Sequence, residues 1–113
     1  MTIKECNITI NIKDMDKSIA FYKSIGFTEK IRWGNNYAKL TLEGVIIGLH
    51  PSQNLNSSSG NVSIGIYTDN FEEAKSLLQK QAITATERKE EGGEFLHFTD
   101  PDGTALYFIK PKW

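Results

Sequence analysis

The 113-residue chain is poor in the features that mark a disulfide scaffold, a nucleic-acid binder or a membrane protein. Its single cysteine, Cys6, cannot close an intrachain disulfide, so stability has to come from a packed core and a reducing compartment is the expected setting. Thirteen Lys and Arg residues are scattered among fourteen Asp and Glu residues, for a net charge of -1. With no basic block there is no counterion-releasing surface, and no nucleic-acid partner is expected. No apolar run is long enough for a signal peptide or a membrane span, so no membrane partner is expected and the cytoplasm is the default location. The chain also has no glycine-rich phosphate loop, no nucleophile elbow and no Cys/His pair at catalytic spacing.

What is there is a core and a pattern. A hydrophobic content of 39%, with 11% aromatic residues, supports one hydrophobic core, and the length is short for two independent domains. In "CNITINI", Ile8, Ile10 and Ile12 alternate with Asn7, Thr9 and Asn11, which predicts a strand with one buried face; Cys6 shares the isoleucine parity and is expected in the core. Asp14 is placed to cap a helix over "MDKSIAFYKSI", with Met15, Ile19, Tyr22 and Ile25 as its stripe and Gly26 as its stop. Strands are predicted at "EKIRW", "YAKLTL" and "VIIGLH", broken at Gly34-Asn35-Asn36 and Glu43-Gly44.

After a Ser- and Asn-rich linker at 51–61 the plan begins again. Ile64 and Ile66 alternate with Ser63, Gly65 and Tyr67. Asn70 is placed to cap and Glu73 to complete a capping box, and Phe71, Ala74, Leu77 and Leu78 make the second helical stripe. Strands follow at "ITATERK", "EFLHFT" and "TALYFI", with "EEGG" and "DPDG" as turns. A shift of 56 lays Ile8 on Ile64, Asp14 on Asn70 and Met15 on Phe71, and past the helices a shift of 59 lays Gly44 on Gly103 and Gly48 on Tyr107.

The pairing of "INIKDMDKSIAFYKSIGF" with "FTDPDGTALYFIKP" resembles the vicinal oxygen chelate superfamily, which holds glyoxalases, bleomycin resistance proteins, fosfomycin resistance enzymes and extradiol dioxygenases. The resemblance covers essentially the whole chain. It implies an α+β fold of two βαβββ modules in tandem, about 1–50 and 62–113, in a single domain. Their mixed sheets would curl into a half-barrel, with the helices outside and a ligand cavity on the concave side. It also implies four inward positions that hold His, Glu or Gln in metal-dependent members, and these fall here on Asn7, Gly48, Ser63 and Tyr107. None of the four is an expected transition-metal ligand. No metal and no cofactor is therefore expected, although His50 and His97 are spare donors; two histidines on different strands fall short of the three groups a mononuclear site requires.

Strand parity puts Asn7, Thr9, Asn11, Tyr37, Lys39, Gly48, His50, Ser63, Tyr67, Phe95, His97 and Tyr107 on the concave lining, with Trp33 near a loop at its mouth. Such a lining suits a partly planar organic ligand, with Tyr107 as an aromatic wall and the bare Gly48 leaving room beside it. The favoured expectation is a metal-free small-molecule binder similar to bleomycin resistance proteins, one that sequesters a toxic or antibiotic-like compound. Two alternatives stand beside it. One is a glyoxalase- or dioxygenase-like enzyme with an atypical metal site, or with His97 or His50 as general base and Tyr107 as donor. The other is a protein-association module. A homodimer is expected, with the C-terminal Trp113 and the strand "TALYFI" as contributors.

Overall fold

The computed structural model describes residues 1–52 and 62–112, so most of the predicted linker, and Trp113, lie outside the described residues. The chain divides into two compact units, Met1–Ser59 and Gly60–Trp113. In the first, β1 (Ile8–Ile12) leads to α1 (Met15–Ser24) and then to β2 (Thr28–Trp33), β3 (Tyr37–Leu42) and β4 (Val45–Pro51). In the second, β5 (Ser63–Tyr67) leads to α2 (Phe71–Lys80), β6 (Thr86–Glu90), β7 (Gly93–Thr99) and β8 (Ala105–Pro111). Each unit is therefore one βαβββ module.

The strand orders are the same, β1-β4-β3-β2 and β5-β8-β7-β6. In both, the opening strand runs parallel to the closing strand and every other pair is antiparallel. The registers obey the sequence repeat, because Ile8 pairs with Ile47 as Ile64 pairs with Leu106, and Thr9 pairs with Gly48 as Gly65 pairs with Tyr107.

Local chemistry explains the helices. Asp14 Oδ1 accepts from the Lys17 amide at 3.1 Å, and Asn70 Oδ1 accepts from the Glu73 amide at 3.0 Å, satisfying amides that have no partner within the helix. The predicted capping box is only half built: the Asn70 amide donates to the Thr68 hydroxyl at 3.1 Å, where a box would have used the Glu73 side chain. At the far end of α2, Ala82 takes a positive φ of 56° and the Ile83 amide reaches back to the Leu78 carbonyl at 2.9 Å. That exit holds residues 83–85 near the helix, so β6 starts at Thr86 and not at Ile83 as the sequence pattern suggested.

Each helix covers one face of its own sheet. Ile10, Ile12, Ala38, Leu40, Ile47 and Leu49 are buried with Met15, Ile19 and Tyr22 of α1. Leu96, Phe98, Leu106 and Phe108 are buried with Phe71, Ala74 and Leu78 of α2. Two expectations fail on this face. Cys6 is exposed and Ile8 is 47% exposed, because parity assigns them to a face but the covered region begins only at Ile10. The strand "TALYFI" lies inside its sheet: β8 is paired on both sides, with β5 and β7. The edge strands β2 and β6 carry Glu29, Lys30 and Arg32 and Glu87 to Glu90 respectively, charges that discourage strand addition.

The turn "DPDGT" is organised by one buried carboxylate. Asp100 Oδ1 accepts from the amides of Asp102 at 2.9 Å and Thr104 at 2.8 Å, while the backbone groups of Asp100 bond to Thr104 and Gly103. Gly103 takes a φ of 89°, a conformation that favours glycine, and its counterpart Gly44 takes 84°. These turns aim β8 and β4 so that Tyr107 and Gly48 occupy equivalent register positions.

Candidate functional site

The sheet faces turned away from the helices carry the predicted residues, and each unit presents its own constellation. In the second unit the opposite parity to Leu96, Phe98, Leu106 and Phe108 places Phe95, His97 and Tyr107 together. Phe95 and His97 stack with ring centroids 5.6 Å apart and planes only 8° from parallel. Tyr107 tilts against both, at 6.0 Å from Phe95 and 5.8 Å from His97. All three rings are half-buried, so they form a shelf with surface left for contact.

Tyr107 also lies across β5. A Cβ built on Gly65 would come within 2.5 Å of its Cζ and Oη, so the phenol rests directly on the glycine backbone. Gly65 was placed on this strand by the sequence but given no role; a glycine inside a strand is the available signal for such a close approach. Ser63 and Tyr67 flank it on the same face, and Tyr67 is 62% exposed.

The first unit repeats the device with the parts exchanged. Here the glycine is on the closing strand, and the ring over it comes from β3: a Cβ on Gly48 would collide with the Tyr37 hydroxyl and lie 3.0 Å from its Cζ. The predicted free room beside Gly48 is therefore filled by Tyr37. Trp33, 61% exposed at the end of β2, tilts on Tyr37 with centroids 5.9 Å apart. His50 is exposed and pairs in register with Asn11.

Beside this aromatic pair lies a charge cluster that sequence reasoning missed, although Lys39 was placed on the face. Glu5 Oε2 lies 2.6 Å from Lys39 Nζ and accepts from Asn7 Nδ2 at 3.0 Å, while Glu5 Oε1 lies 3.6 Å from Lys30 Nζ. The Lys39 hydrogen bond above all, then that of Asn7, holds the Glu5 carboxyl down at about 2 against the opposing effect of partial desolvation. The same Glu5 contact pushes the Lys39 ammonium up. The β2–β3 register shifts between Glu29, which pairs with Leu40, and Ile31, which pairs with Lys39, so Lys30 is the extra residue of a bulge beside Lys39 and reaches the same carboxylate.

Transition-metal centres are built from imidazole, carboxylate and thiolate donors. The four seats implied by the resemblance hold a neutral carboxamide whose Nδ2 donates to Glu5, a glycine lying under Tyr37, an exposed serine hydroxyl and a phenol resting on Gly65. His50 and His97 belong to different units, and among the described residues no three His, Cys, Asp or Glu side chains group. This donor set does not fit such a centre. Two shallow hollows of about 90 and 470 Å³ flank α2, and none of the predicted residues lines either.

A sequence profile described as the Glyoxalase/Bleomycin resistance protein/Dioxygenase superfamily matches residues 6–108. The chain is 26% identical over 117 residues to the metallothiol transferase FosB of Lysinibacillus sphaericus, covering 96% of this chain and 83% of that protein. A bleomycin-binding protein solved in complex with bleomycin superposes with a TM-score of 0.76 at 20% identity, over 97% of this chain and all of the other. A variant of the fosfomycin resistance protein FosX from Listeria monocytogenes, solved with Mn(II) and a dihydroxypropylphosphonic acid, gives a TM-score of 0.79 at 20% identity. That match covers 99% of this chain and 93% of FosX.

Proposed function

Since the chain belongs to the glyoxalase/bleomycin resistance protein/dioxygenase superfamily, we propose that it is a metal-free member that binds a partly aromatic small molecule on its exposed sheet faces. The observation that carries the reading is the ring shelf of Phe95, His97 and Tyr107, with Tyr107 standing in a position where chelating relatives need a ligand. Rings of this kind contribute about 1 kcal/mol per aromatic contact beyond area burial, enough for two or three contacts to anchor a flat ligand. The hydroxyl of Ser63, on the same face of that unit, would orient it. Sequestration of an antibiotic-like compound is the role that fits a binder without chemistry, and a protein of the same fold has been solved with bleomycin bound.

Calorimetric titration of bleomycin and of 2-naphthalenemethanol into wild type, Tyr107→Ala and Phe95→Ala tests this. Binding that weakens by about fivefold or more in both variants is expected, and binding indifferent to both would refute the site. A second reading, a metal-dependent resistance enzyme, draws on the similarity to the metallothiol transferase FosB. Elemental analysis separates the two: near-stoichiometric manganese, zinc, nickel or iron, removed by chelator together with an activity, would favour the enzyme. A homodimer is part of the proposal, as closed two-fold assembly is the commonest state of soluble oligomers, and light scattering that returns a monomer mass would contradict it.

A further inference from the structure

We infer that Glu5 occupies an anion site, formed by Lys39 and Lys30 beside the Trp33–Tyr37 ring pair, that serves a ligand carrying a negatively charged group on a flat ring. This inference names the ligand class and rests in part on the proposed binding function. The carboxylate comes from residues 1–7, which precede β1 and contribute no strand, so its removal from the lysines breaks side-chain contacts and leaves the ladder intact. The cations, by contrast, are built into the sheet. Lys39 projects from the interior strand β3, between Ala38 and Leu40 whose side chains are fully buried on the other face. Lys30 is delivered to the same carboxylate by the bulge in β2, and bulges re-aim side chains in this way at functional sites.

The surroundings complete the recognition. Gly48, in register with Lys39, leaves room for the hydroxyl end of the Tyr37 ring over its backbone, and Trp33 tilts on that ring. A ring seated on Trp33 and Tyr37 would hold a sulfonate, phosphonate or carboxylate against the two ammonium groups, replacing the Glu5 carboxylate in kind. Glu5 is then a built-in competitor that offsets one of the two positive charges until such a ligand arrives.

The test uses 2-naphthalenesulfonate, its neutral counterpart 2-naphthalenemethanol, and inorganic sulfate, titrated into wild type, Glu5→Gln and Lys39→Gln. Removal of one partly screened competing charge is expected to tighten sulfonate binding about fivefold in Glu5→Gln and to leave the alcohol unchanged. Lys39→Gln should erase the preference for the sulfonate over the alcohol. Sulfate should shift the amide resonances of Lys30 and Lys39 at lower concentration in Glu5→Gln than in wild type. Equal sulfonate affinity in wild type and Glu5→Gln, or a charge preference that survives Lys39→Gln, overturns the inference. Alcohol binding without any charge preference would overturn it and leave the proposed function standing. Sulfate shifts at Lys30 and Lys39 without binding of either ring would also overturn the inference, because its ligand carries the charge on a ring.

Discussion

Replacing Gly65 by alanine puts one methyl group where the Tyr107 ring now rests, and the consequence can be worked from the contact itself. The new Cβ would lie 2.5 Å from Tyr107 Cζ and Oη and 2.9 Å from Cε2, closer than real Cβ contacts are found. The ring has to move, and it takes with it the tilted contacts to Phe95 and His97 at 6.0 and 5.8 Å. Overpacking of this kind costs about 1–3 kcal/mol. Against it stands a gain of roughly 0.5–1 kcal/mol, because alanine restricts the unfolded chain more than glycine does. The net expectation is a loss of about 1–2 kcal/mol, seen as a fall of several degrees in Tm. In a Tyr107→Ala background the clash is gone, so Gly65→Ala should be neutral or stabilising. Urea unfolding of the four proteins of this cycle, followed by circular dichroism, should therefore give a coupling of about 2 kcal/mol. A coupling below about 0.5 kcal/mol would refute the packing of Tyr107 on Gly65.

Three more outcomes follow from individual contacts. Gly48→Ala should displace the Tyr37 hydroxyl and, through Tyr37, move Trp33, which a shifted tryptophan side-chain resonance would report; an unmoved indole signal would count against the contact. Asp100→Ala should cost about 3 kcal/mol, because the amides of Thr104 and Asp102 lose the carboxylate oxygen they donate to at 2.8 and 2.9 Å, and Asp100→Asn should recover at least half of it since its oxygen still accepts. Glu5 should titrate at about 2 by carbon-detected NMR. A carboxyl held below its usual value stabilises the fold above that usual value, and the contribution disappears as the pH falls towards about 2. In Lys39→Gln the titration should return towards the ordinary glutamate range, and an unchanged midpoint would show that the Lys39 contact is not its cause.

The parts of the fold that were legible in the sequence are those decided within a few residues. Asp14 and Asn70 announce helix starts, Gly44 and Gly103 announce turns that need a positive φ, and the repeat spacing of 56 carries α1 onto α2 residue for residue. What escaped depends on which strand lies beside which. Period-two alternation assigns Cys6 and Ile8 to a face but cannot say where the covering helix ends, so both were expected in the core and both are exposed. The seats of Asn7, Gly48, Ser63 and Tyr107 came from resemblance, and the empty space expected over Gly48 was an inference from one residue's lack of a side chain. Only the β3–β4 register reveals that Tyr37 fills it. Likewise Glu5 sits outside every periodic segment, and the bulge at Lys30 is a matter of pairing count that one strand's sequence does not contain.

The two units also show how one plan has diverged. Register makes Thr9 equivalent to Gly65 and Gly48 equivalent to Tyr107, so each parallel pair holds one glycine, but on opposite strands. A glycine on the opening strand invites the ring from β8, whereas a glycine on the closing strand invites the ring from β3. In both cases a position that the family resemblance matches to a metal ligand takes part in a tyrosine-on-glycine contact. The seats cannot then be converted back one residue at a time: a histidine or glutamate at position 48 meets Tyr37, and a glutamate at position 107 uncovers Gly65 and takes one ring from the shelf. That interdependence ties Gly48 to Tyr37 and Tyr107 to Gly65, so neither face can be altered at one of these positions without repacking its partner.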